Sequence, residues 1–212
     1  MYVSKIASIH NNIGLNKKNS CPQFKGTVSP EFVQYVDALR SDCLDTYPKQ
    51  FSNSINNLCD NIMNKAQRIM KNCFPQESVL GVDTTKSKSL DAITYSNKVI
   101  KKYIPGDLIL GVLYKKNEIT PIERLKDLHQ MVFDKDRFSD ACNKDYAKID
   151  LMTYEGEGIF DKNCIKDCIP VVEFYHDNFN LYDSEMTDAN HYNERTQTEY
   201  AELLSKMKEL SD

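Results

Sequence analysis

Apolar side chains recur at helical spacing along the first third of the chain and predict two helices. Ser29 precedes Pro30 and Glu31, so a capping hydroxyl, a proline at the first helical position and an acid at the positive end of the dipole coincide. Phe32, Val36, Leu39 and Cys43 then fall at i, i+4, i+7 and i+11, one continuous stripe that Pro48 closes. A second stripe, Phe51, Ile55, Leu58, Ile62, Ile69 and Cys73, is widened by Cys59, Met63, Ala66 and Met70. Asp60, Lys65, Arg68 and Lys71 occupy the opposite side. This helix is expected deep in the core, paired with the first as an antiparallel hairpin.

Beyond Pro75 the pattern shortens. Ser78-Val79-Leu80-Gly81-Val82 predicts a short strand, followed by a polar turn with Lys86 and Lys88. Leu90, Ile93, Ile100, Tyr103 and Ile104 predict a third helix from Ser89 to the stop at Pro105-Gly106. Residues 107–116 hold an apolar run too short for a free-standing helix and bounded by turn signals, so a buried strand is expected. Thr120-Pro121-Ile122-Glu123 joins a capping box to a proline at the first helical position, opening a helix that presents Ile122, Leu125, His129 and Val132. Residues 134–148 continue as a more polar helix. Ile149–Tyr154 and Ile169–His176 read as strands, and Thr196, Tyr200, Leu203, Met207 and Leu210 mark a closing helix.

These elements add up to an α+β fold: an N-terminal helical hairpin, further helices, and a small mixed or antiparallel sheet of roughly three to five strands from the segments near 79, 108, 149 and 169. Residues 1–28 are expected as a flexible leader, since 10–28 is rich in turn formers and poor in periodicity, and 29–212 as one globular domain.

Composition acts mainly by exclusion. A net charge of −4 and a pI of about 5.6 leave no global positive field for phosphates, so a nucleic-acid partner is disfavoured. With 22 Lys against 5 Arg, few guanidinium forks are present for bidentate anion recognition. The odd number of cysteines, 7, excludes a complete disulfide framework, and Cys43, Cys59 and Cys73 fall on apolar helix faces. A reducing, cytoplasmic setting is the expectation. The N-terminus lacks the unbroken apolar run of a signal peptide, and no window approaches the roughly 18 apolar residues of a membrane span, so no membrane partner is expected.

Two constellations offer chemistry. Cys164 and Cys168 precede His176 and Asp177, the ingredients of a thiolate nucleophile with an oriented base, although the spacing matches no cysteine-peptidase or thioredoxin-like signature. The same cysteines lack the second ligand pair that a structural zinc site uses. Asp188, His191 and Glu194 share one face of a helix start at i, i+3 and i+6, a spacing that suits a metal ion, against which stands a plain acidic helix terminus. The stretch Phe174-Tyr175-His176-Asp177-Asn178-Phe179 is similar to the Phe-Tyr-x-x-x-Gly-Phe element of GNAT-type N-acetyltransferases. It carries Asn178 in place of the glycine, and Glu155 and Glu157 stand where the coenzyme A pyrophosphate would bind, so the resemblance carries no activity over. Lys98, Lys101, Lys102, Lys115 and Lys116 would form a basic patch if the third helix lay beside the central strand. The expected function is a non-catalytic binding or interaction protein with a protein partner and no cofactor. The alternatives are a cysteine-dependent hydrolase or transferase using Cys164 or Cys168 with His176, and a metal-binding protein with its site at Asp188, His191 and Glu194.

Overall fold

The computed structural model describes residues 26–115, 117–154, 161–178 and 194–212 and, for Lys135 and residues 194–196, the backbone alone. The described residues form seven α-helices and a four-stranded mixed sheet, an α+β fold. The leader expected at 1–28 lies outside them up to residue 25; Thr27 and Val28 form a strand.

The helical hairpin follows its sequence signals. Helix α1 (Pro30–Thr46) is capped by Ser29, whose Oγ accepts from Phe32 N–H at 3.1 Å, and it buries Phe32, Val36, Leu39 and Cys43. A 3-10 turn at Lys49–Phe51 leads into α2 (Ser52–Cys73), which buries Ile55, Ile62, Ile69 and Cys73 together with Cys59, Ala66 and Met70. Phe51, read as the start of that stripe, stands in the turn and is exposed. Arg40 of α1 bonds Asp60 of α2 at 2.9 Å.

The sheet has the order β1 (Thr27–Val28), β2 (Ser78–Asp83), β3 (Leu90–Asn97), β4 (Leu108–Tyr114). β1 runs parallel to β2, and the other pairs are antiparallel. Gly26 lies so close to α2 that a Cβ there would collide with the Met70 carbonyl oxygen, so only glycine lets β1 reach its place.

Three expectations change. The helix drawn from Ser89 is strand β3 followed by the short α3 (Lys98–Tyr103). Ile93, Thr94 and Tyr95 favour a pleated surface, and Asn97 resets the chain by accepting from Val99 N–H and Ile100 N–H as the α3 cap. Ile149–Tyr154 is not a strand, because α5 (Lys135–Thr153) runs on through it. Phe138, Cys142, Asp145, Ile149 and Met152 are buried at three- and four-residue steps, a helical stripe that the local apolar run disguises. Ile169–His176 is also helical, within α6 (Lys162–Asp177), which Asp161 caps at Cys164 N–H, 2.9 Å. Its β-branched run and Pro170 suggest a strand, yet Cys164, Cys168, Val171 and Tyr175 bury one helical face while Pro170 sits exposed on the other. The sheet segments near 149 and 169 are therefore replaced by β1 and β3.

The capping box predicted at Thr120 is present: Glu123 accepts from Thr120 N–H at 2.9 Å and opens α4 (Pro121–Phe133). The closing helix, α7, spans Glu194–Ser211 and buries Tyr200, Leu203 and Met207. The buried side chains of hairpin, sheet and later helices make one cluster. Among the described residues no helix is long and apolar enough to cross a membrane.

Candidate functional site

Alternation along β3 sends Asp91, Ile93, Tyr95 and Asn97 to the helix-covered face of the sheet and Ala92, Thr94 and Ser96 to the outer face. Two buried polar clusters stand on the covered face. At one end, Arg124 of α4 donates to Asp91 at 2.7 Å and to the Tyr35 hydroxyl of α1 at 2.6 Å, and Tyr35 donates to Asp91 at 3.1 Å. Lys115 Nζ stands 3.5 Å from the second Asp91 oxygen while donating to the Thr84 and Ser87 carbonyls. Burial pushes the Tyr35 phenol up to about 12. This cluster ties the hairpin to the sheet with two cations around one carboxylate.

At the other end, Asp145 of α5 accepts from Tyr95 of β3 at 2.7 Å and from Tyr175 of α6 at 3.1 Å. The two hydroxyls lie 3.0 Å apart, and Tyr95 also meets Ser78 Oγ at 3.1 Å, which in turn accepts from Asn97. Among the described residues no cation forms an ion pair with Asp145. Desolvation raises its carboxyl to about 6, opposed by the tyrosine bonds and by the field of Lys148, and it pushes the Tyr95 phenol well above the ordinary range. The Asp145 cluster is sealed from solvent, whereas the Asp91 cluster reaches the surface through half-buried Tyr35 and Lys115; the bonds of both tie separate elements together.

Cys164 and Cys168 lie one turn apart on the buried side of α6. Burial raises both thiols, Cys168 to about 12, so neither supplies thiolate near neutral pH. His176 is on the same helix, eight residues beyond Cys168 and so about 12 Å farther along its axis. It pairs with exposed Asp177, Nδ1 to Oδ1 2.9 Å. The structure brings His176 and Asp177 together and keeps them apart from the thiols. Asp188 and His191 lie outside the described residues, as does the side chain of Glu194 at the start of α7. Among the described residues no group of three or more His, Cys, Asp or Glu is arranged to hold a metal ion.

The lysine patch does not assemble. Lys98 pairs with Glu77 at 3.8 Å, Lys101 with Asp107 at 2.6 Å and Lys102 with Asp167 at 2.8 Å, while Lys115 is turned inward and Lys116 lies outside the described residues. His129 stacks on Phe133, ring centroids 4.2 Å apart.

What remains open is the β4 side of the sheet's outer face. On β4, Ile109, Val112 and Tyr114 are 44%, 48% and 52% exposed, against the expectation of a buried strand. They pair with Thr94, Ala92 and Leu90 of β3, so the middle of this face is small and uncharged. The edge of β4 is blunted: Leu110 is an extra residue between the partners of Ile93 and Thr94, and its carbonyl accepts from Arg137 at 2.7 Å. The exposed row was visible in the sequence as apolar residues, but their side of the sheet was not, because the Leu110 bulge shifts the alternation partway along the strand.

Comparison of the chain with protein-family models, with curated proteins and with solved structures gives no match.

Proposed function

We propose that this chain is a non-catalytic interaction protein that binds a protein partner through the outer face of its sheet. The observation that carries the reading is the row Ile109, Val112 and Tyr114, three large apolar side chains in solvent on one strand whose other face is packed. Clustered apolar exposure of this kind is a feature of partner-binding surfaces. Its chemistry favours a protein over a nucleic acid: the row carries no cation, and Lys98, Lys101 and Lys102 nearby in sequence are paired with carboxylates. The bulge and Arg137 obstruct strand addition at the β4 edge, which supports docking against the face. The raised, buried Cys164 and Cys168 thiols count against the cysteine-enzyme alternative.

A photo-reactive residue placed at Tyr114, with a control at exposed Glu202 on α7, tests the reading in lysate of the native cells. A discrete protein adduct at 114 that is absent at 202 supports it. Equal labelling at both positions, or no adduct at 114, overturns it.

A further inference from the structure

Asp145 is a buried carboxylate that forms no ion pair among the described residues. Its two named donors are phenols, one from the sheet and one from α6, so three elements meet at a single carboxyl oxygen. The titratable groups around it are Tyr95 of β3, Tyr175 and Cys168 of α6, and Cys142 and Lys148 of its own helix. Tyr200 of α7 packs on Tyr175, ring centroids 5.7 Å apart, and its hydroxyl donates to the Cys142 carbonyl at 3.3 Å. Through Tyr175 and Tyr200, the docking of α6 and α7 converges on the same cluster.

We infer that Asp145, Tyr95 and Tyr175 form a proton-operated latch, which holds α6 and α7 against the sheet when Asp145 is protonated and loosens them when it ionises. A protonated Asp145 adds a donor to a ring of hydroxyls and leaves no charge in the core. An ionised one keeps both phenolic bonds but remains desolvated, and opening the α6 side returns it to water.

The direction follows from linkage. The carboxyl sits at about 6 in the closed protein, against 3.8 when free. The closed form therefore binds the proton more tightly, and its advantage is fully present below 3.8 and lost as pH rises through about 6. Between pH 5 and pH 7.5 the opening equilibrium of α6 and α7 should rise about tenfold.

Hydrogen exchange of the full chain at those two pH values, corrected for intrinsic rates, tests the latch in the wild type and in Asp145→Asn. The expected result is about tenfold weaker protection in α6 and α7 at the higher pH, little change in α1 and α2, and no such difference in the variant. A wild-type protection pattern independent of pH overturns the inference, and so does a pH effect of equal size in Asp145→Asn. Should the variant fail to fold, a carbon-13 NMR titration of the wild-type aspartate carboxyls decides. A midpoint near 6 for Asp145 supports the latch, and one in the ordinary carboxylate range overturns it.

Discussion

On the covered face of the sheet, β3 sends Asp91 and Tyr95 into clusters that bind the hairpin at one end and α5 and α6 at the other. On the outer face the same strand carries Ala92 and Thr94, themselves buried, and half-buried Ser96, while its neighbour β4 leaves Ile109, Val112 and Tyr114 in solvent. Adjacent residues on one strand thus serve different ends. The period of two lets β4 bury Leu113 in the core while Val112 and Tyr114 on either side of it stay in solvent, where the proposed partner would meet them. Substitutions one residue apart should therefore separate stability from binding.

The largest effect is expected at Arg124. Its removal leaves Asp91 buried with Lys115 as its remaining cation, and loss of one partner of a buried pair costs about 3–5 kcal/mol. Urea unfolding of Arg124→Ala should show that loss. A change below about 1 kcal/mol would mean that the covered face does not hold the hairpin as described.

Asp145 should behave in the opposite sense, because its charge is a burden to the closed protein. With a carboxyl raised from 3.8 to about 6, wild-type stability should fall by about 2 kcal/mol between pH 4 and pH 7 from this group alone. Thermal unfolding of Asp145→Asn across that range should be flatter, and the variant should be the more stable protein at pH 7. Exposed acids such as Glu123 and Asp167 have lowered carboxyls, so their contribution is lost as pH falls through the free values of 4.5 and 3.8; it opposes the slope near pH 4 and leaves it clear between about pH 5 and pH 7.

Tyr175→Phe removes one of the two donors to Asp145 while keeping the ring packed against Tyr200. A loss of about 1–3 kcal/mol is expected at pH 7 and a smaller one at pH 4, where the acceptor is neutral. Equal losses at the two pH values would show that the tyrosine does not answer the charge.

The outer face should respond least. Val112→Glu alters a half-exposed side chain on β4 and should shift stability by no more than about 0.5 kcal/mol. Leu113→Ala, one residue away and buried, should cost about 2–5 kcal/mol.

The hairpin and its caps could be read directly from the sequence, because Ser29 and the stripe ending at Cys43 act within one or two turns and need no distant partner. The errors lie where tertiary contacts decide. Leu90 to Ile104 contains helical spacing, yet Ile93 and Tyr95 find cross-strand neighbours in Val82 and Leu80, and pairing between two strands outweighs a local pattern. The β-branched run at 169–174 mimics a strand, and the burial of Cys164, Cys168 and Tyr175 on one face makes it a helix. Asp145 left a readable trace as a carboxylate at a core step of a stripe otherwise made of Phe138, Cys142, Ile149 and Met152. Its partners did not, since Tyr95 and Tyr175 are 50 and 30 residues away in the chain. The thiols of α6 drew attention by composition, but their chemistry depends on burial, which spacing does not report.

The most direct test of the division between the two faces combines Ile109→Glu and Val112→Glu in a chain carrying the photo-reactive residue at 114. The account predicts that the unfolding free energy changes by no more than about 1 kcal/mol while the protein adduct at 114 disappears. An adduct that survives both charges in a folded protein would contradict it.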